Sequence, residues 1–171
     1  MGRASSFRAL GMGAALIILI SEQAALPQET SRVRSEDPAL SALIRRGTEG
    51  SPTFRRLAET IQATDGLVYI VRGRCGHRVR ACLVLWMGFA GPYRVLRVNV
   101  AGGKSNIETM ASIAHELTHA LEVLSEPGVR SGFGMYQLFG RNHAWRSETF
   151  ETAAAIGAGN AVYEELNHSQ N

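Results

Sequence analysis

Five consecutive residues, His115-Glu116-Leu117-Thr118-His119, combine types and a spacing that can do chemistry. At 3.6 residues per helical turn, positions four apart stack on one face, so both imidazoles can reach one metal ion. Glu116 follows the first histidine, where a carboxylate can hold and deprotonate a water on that metal. The chemistry this implies is metal-assisted hydrolysis. Two histidines leave a tetrahedral ion short of a protein ligand, so the rest of the chain must supply a third donor and the elements that hold all three in place.

The element carrying the pair reads as a helix from about Ser105 to Glu126. Ser105-x-x-Glu108 forms a capping box, and apolar residues recur at three- and four-residue steps from Ile107 to Leu124. Pro127-Gly128 ends it. The histidines therefore fall mid-helix, where packing on both sides holds a metal-binding side chain rigid.

Upstream, Leu67 to Arg72, Val79 to Met87 and Tyr93 to Val100 are rich in Val, Leu, Ile and Tyr and are separated by glycine-containing turns. They predict an antiparallel meander of three strands, with the third exposing an edge to which an extended peptide could pair. Cys75 and Cys82 flank the first turn, and the reading is a disulfide stapling a hairpin. His77 in that loop reads as an exposed loop residue. Asp37-Pro38 and Ser51-Pro52 each offer an N-cap followed by proline at the first helical position, predicting two helices that cover the core.

Residues 1–25 have the pattern of an export leader. Arg3 and Arg8 precede an uncharged, largely apolar run from Ala9 to Ile20, followed by small residues. Cleavage would release a periplasmic or secreted protein, and retention would leave it anchored in the membrane by residues 9–20. Residues 26–36 are polar and read as a linker, and 37–171 as one domain, taken to be a monomer. With 45% hydrophobic and 19% charged residues, there is one core's worth of apolar side chains. The formal charge is +3, with Lys104 the only lysine. No basic stripe interleaved with aromatics appears, so nucleic acid is excluded as a partner.

On the H-E-x-x-H helix and its preceding strand, the chain resembles the zincin metallopeptidases. Metzincins carry a glycine and a third histidine further along the same helix, but those places here hold Glu122 and Ser125, which points to the gluzincin type. That resemblance implies an α+β zincin-like domain, bound Zn²⁺, a peptide or protein substrate, Glu116 as general base, and a third ligand from a later helix. Ser147 to Asn167 predicts such a helix. Its small face of Ala154, Ala155 and Ala158 would let the two helices approach to ~8 Å. Glu151 is the expected ligand and Glu148 the fallback. His143 and Tyr136, between the two helices, are candidates for stabilising an oxyanion. The Phe-Glu-Thr-x-Ala-Ala stretch around Glu151 also resembles a group of small, uncharacterised exported bacterial proteins with an H-E-L-x-H-A-L-E-V helix. One departure stands out. The acidic residue that many gluzincins place a turn after the ligand glutamate is replaced here by Thr152-Ala153-Ala154-Ala155. This leaves open a second reading, a zincin-fold module that binds metal and peptide without turnover.

Overall fold

The computed structural model describes Met1 and residues 31–76, 79–102, 105–142 and 150–169. The proposed leader, His77, His143 and Glu148 lie outside these residues. Among the described residues the fold is α+β, with five helices and a four-stranded mixed sheet in the order β1 (Val33–Arg34), α1 (Pro38–Gly50), α2 (Pro52–Gln62), β2 (Gly66–Arg72), β3 (Ala81–Ala90), β4 (Tyr93–Val100), α3 (Asn106–Leu124), α4 (Gly132–Asn142) and α5 (Ala153–His168).

Both proline-led helices start where the sequence places them. The Asp37 carboxylate accepts from the backbone N–H of Ala39 and Leu40, and the Ser51 hydroxyl accepts from Phe54 N–H. Each side chain thereby satisfies helix-start donors that have no partner within the helix. Glu165, far along α5, reaches back to this second cap. It accepts from the hydroxyls of Ser51 and Thr53 and from Thr53 N–H, tying the last helix to the start of α2.

The sheet differs from the predicted meander. Its order is β1-β2-β4-β3: β4 lies between β2 and β3, parallel to the first and antiparallel to the second. The β3–β4 hairpin is genuine. Its turn is tighter than expected, with Ala90 paired to Tyr93 across Gly91-Pro92 and Gly91 at φ +58°, a conformation that glycine adopts without a Cβ clash. Strand β2, however, does not pair with β3. Each strand's local pattern was readable, but nothing local states which strand becomes its neighbour. Two corrections follow. The strand Tyr93–Val100 is paired on both sides and has no edge to offer a peptide; the outer strands are β1 and β3. The disulfide Cys75–Cys82 is present, with Cα atoms 5.8 Å apart, but it closes the connection that carries the chain past β4 rather than a hairpin. The segment read as a linker also changes. Val33 within it is buried, and β1 pairs in parallel with β2.

The core lies between the sheet and its helices. Val68, Ile70, Leu96, Val98 and Val100 face Leu40, Phe54, Ile61, Ile113, Leu117 and Val123. Arg94 sits inside it, only 2% exposed. Its Nε and Nη2 bind the Asp65 carboxylate. Nη1 donates to the carbonyls of Val123, Glu126 and Val129, and Nη2 to that of Leu124. The guanidinium thus satisfies the last carbonyls of α3 and places a positive charge at that helix's negative end. It anchors the C-terminus of the helix that bears the two histidines, as the capping box of Ser105 and Glu108 anchors the N-terminus.

Candidate metal centre

Helix α3 presents His115 and His119 one turn apart, with their Nε2 atoms 3.2 Å apart. A carboxylate oxygen of Glu151 lies 3.1 Å from His115 Nε2, and the three donor atoms are all within 4.8 Å of one another. A tetrahedral Zn²⁺ with Zn–N bonds of ~2.0–2.1 Å has ligand-to-ligand edges of about 3.3 Å, so both short separations match a shared ion.

What lies on the other side of the His119 ring strengthens the fit. The Nδ1 of His119 is 2.8 Å from Glu122 Oε2. A carboxylate only accepts, so Nδ1 carries the proton and Nε2 presents a lone pair. The Nε2 atoms of both rings and a carboxylate oxygen of Glu151 converge, an arrangement that suits a cation. Burial pushes His115 below its ordinary value, despite the opposing charge of Glu151 and the backbone of Ala155. Burial also works against the charged form of His119, but the Glu122 hydrogen bond and the charges of Glu116, Glu122 and Glu151 outweigh it and raise this group.

Glu122 stands one turn beyond His119. Its place three residues on, along the same helix face, is what lets it hold the outer nitrogen of that ring. Its other oxygen accepts from the Thr152 hydroxyl at 2.7 Å, and the Thr152 oxygen in turn accepts from Ala155 N–H. The first helix therefore supplies an acid behind its own second histidine, His119.

Thr152 also corrects the boundaries of that second helix. It is the N-cap of α5, so the helix begins at Ala153 and Glu151 stands in the extended segment just before it, rather than in a first helical turn. The face of α5 that meets α3 is Ala155, Ala158, Gly159, Val162 and Leu166, whereas Ala154 is exposed. Gly159 marks the closest approach. A Cβ there would stand 3.3 Å from the Ala111 carbonyl oxygen and 3.5 Å from His115 Cβ.

Glu116 is buried on α3 at the boundary with β3, and its Oε2 accepts from Leu83 N–H at 2.7 Å. Burial raises its carboxyl above the ordinary value, although the charge of His119 and the Leu83 amide oppose the shift. A base raised in this way sits closer to neutral pH. Tyr136, on α4, places its ring edge-on to Phe150, with centroids 6.0 Å apart. It is not among the residues lining the two cavities that meet at the site. Tyr163, which no spacing or motif singles out, does line the larger of them.

No protein-family model, curated protein or solved structure matches this chain. Among the described residues, no helix is long and apolar enough to cross a membrane.

Proposed function

We propose that the chain is a zincin-like zinc peptidase of the gluzincin type, exported by its leader, with His115, His119 and Glu151 as metal ligands and Glu116 as the general base. The observation that carries the reading is the convergence of His115 Nε2, His119 Nε2 and a Glu151 carboxylate oxygen, with the His119 ring held by Glu122 on its other nitrogen. These donors suit Zn²⁺, which when bound supplies a Lewis acid for the scissile carbonyl and lowers the pKa of water to about 7.

The protein's own groups account for the rest. Leu83 N–H holds one oxygen of Glu116, leaving the other to take a proton from the attacking water and pass it to the leaving amine. Glu122 keeps the His119 imidazole in the tautomer that faces inward. The outer strand β3 runs along the mouth of the site, so an extended peptide pairing with it would pass Glu116. Glu122 supplies an acid behind His119, which weakens the case for a binding-only module without supplying the one expected behind His115.

Protein purified without chelator or added metal is expected to contain one zinc per chain and to digest an unfolded protein such as casein. Glu116→Gln should keep the zinc and lose the digestion. Activity surviving that exchange would remove the mechanism. Zinc present without hydrolysis across a broad peptide library would favour the binding module.

A further inference from the structure

Alternation along the strands gives the sheet two faces. Val33, Val68, Ile70, Leu96, Val98 and Val100 belong to the core, where the buried apolar residues of all five helices meet them. The intervening residues point the other way: Arg32, Arg34, Tyr69, Val71, Tyr93, Val95 and Arg97, none of which belongs to that core. Register sets them side by side, with Arg34 opposite Tyr69 and Tyr69 opposite Arg97. Trp86 joins the same face, because its ring lies over Gly88, the partner of Val95. Among the described residues, no helix covers this side.

The open face combines arginines with aromatic rings. The guanidinium of Arg32 stands 4.5 Å from the centroid of the Tyr93 ring, and that of Arg34 stands 4.8 Å from the Tyr69 ring, to whose hydroxyl its Nη2 donates at 2.6 Å. Arg97 is exposed, and Trp86 is 51% exposed. The four strands contain no aspartate or glutamate, and the two strand arginines on the core side, Arg72 and Arg94, are the ones matched by Asp37 and Asp65. The strands therefore offer the open face positive charge and no negative charge. A broad, shallow surface of this kind suits the interface of an anionic bilayer, where guanidinium groups meet phosphates while tyrosine and tryptophan rings settle at the level of the headgroups.

We propose that the open sheet face is a docking surface for a membrane containing anionic phospholipid, contacted through Arg32, Arg34 and Arg97, with Trp86 entering the headgroup layer. The course of the chain favours a bilayer over other anionic partners. Residues 21–31 separate the apolar run ending at Ile20 from Arg32, and these eleven residues span at most roughly 40 Å. A retained leader would thus hold this edge of the sheet beside the bilayer. His115, His119 and Glu151 lie on the helix side, so docking leaves the metal centre open to water. The contact is the same whether or not that centre hydrolyses peptides.

Trp86 supplies the readout. The chain has two tryptophans, so in the full chain carrying Trp145→Phe the emission comes from Trp86 alone. This protein would be mixed with vesicles whose acyl chains carry bromine, a quencher, made either of phosphatidylcholine alone or with about one-third phosphatidylglycerol. Quenching is expected with the anionic vesicles only, and high salt should reverse it. The lipid needed for half-maximal quenching should rise about fivefold in Arg97→Gln and about thirtyfold in Arg97→Glu. Because Arg97 is exposed, both variants should keep the parent's circular dichroism. Arg45→Glu makes the same change in net charge at an exposed position of α1, away from this face, and should bind as the parent does. No quenching, equal quenching by both kinds of vesicle, an Arg45→Glu loss as large as that of Arg97→Glu, or no effect of either Arg97 exchange would overturn the proposal. A Trp86 response to a single-stranded oligonucleotide without one to anionic vesicles would also overturn it and assign the face to nucleic acid.

Discussion

Exchanging Glu122 tests whether the carboxylate behind His119 tunes the metal site. Its Oε2 accepts a charge-assisted hydrogen bond from the His119 ring at 2.8 Å, and its side chain is about one-quarter exposed. Glu122→Gln keeps an acceptor of similar shape but removes the charge, a difference of roughly 1 kcal/mol between charged and neutral hydrogen bonds, or about fivefold in zinc affinity. Glu122→Ala removes the partner altogether, and loss of such outer partners costs about 10- to 100-fold. Competition with a fluorescent zinc chelator would measure both. The pH dependence adds a sharper criterion. Glu122 is one of the groups that raise His119, so a proton competes with zinc for the wild-type ring at a higher pH than it does in the variants. The variants' disadvantage should therefore be largest above neutrality and shrink as pH falls through the His119 range. Affinities within twofold of wild type at pH 8, or a disadvantage that grows on acidification, would refute this account.

Arg94→Met should lower stability by about 3 kcal/mol in urea denaturation, because it leaves the buried carbonyls of Val123, Leu124 and Val129 without their donor. A loss below 1 kcal/mol would show that α3 is anchored by other contacts. Gly159→Val should reduce both thermal stability and zinc affinity by forcing α5 away from Ala111 and His115. Gly157→Ala, whose Cβ meets nothing within 4 Å, should gain roughly 0.5–1 kcal/mol and leave zinc binding unchanged. Burial alone would raise the Glu165 carboxyl, but hydrogen bonds from Ser51 and Thr53 outweigh it and hold the group below its ordinary value. Its contribution is then complete above the unfolded pKa of about 4.5 and lost as pH falls through the lower folded value. The melting temperatures of wild type and Glu165→Gln should accordingly differ at pH 7 and converge near pH 3.

What the sequence disclosed was local. Asp37, Ser51 and Ser105 announce helix starts because capping is settled within four residues, and all three cap as expected. The i, i+4 stacking of His115 and His119 follows from helix geometry alone. Glu151 could be selected because a small-residue face permits close approach, although Thr152, a good N-cap, moved the helix start past it. The remaining differences depend on partners distant in sequence. Strand β1 is two residues long and exists only because β2 accepts it. Helix α4 contains Gly132, Gly134 and Gly140, a poor intrinsic helix former that is held against β3, where Gly132 packs on the Leu85 backbone. The insertion of β4 between β2 and β3 likewise lies beyond any periodicity argument. Glu122 is intermediate: its alignment with His119 was legible, but its second anchor, Thr152, is 30 residues away.

The clamping of α3 at both ends, by Ser105 and Glu108 at the start and Arg94 at the finish, bears on which cations the site can accept. A helix held in this way cannot change the span between residues 115 and 119, so the two imidazoles offer a fixed bite suited to an ion with short nitrogen bonds. Discrimination between ions of different radius or coordination number must then come from the remaining donor. That donor lies on the short extended stretch ahead of Thr152, outside either helix. The rigid half of the centre sets which ligand atoms an ion will meet, and the α5 junction sets how far they can adjust to it.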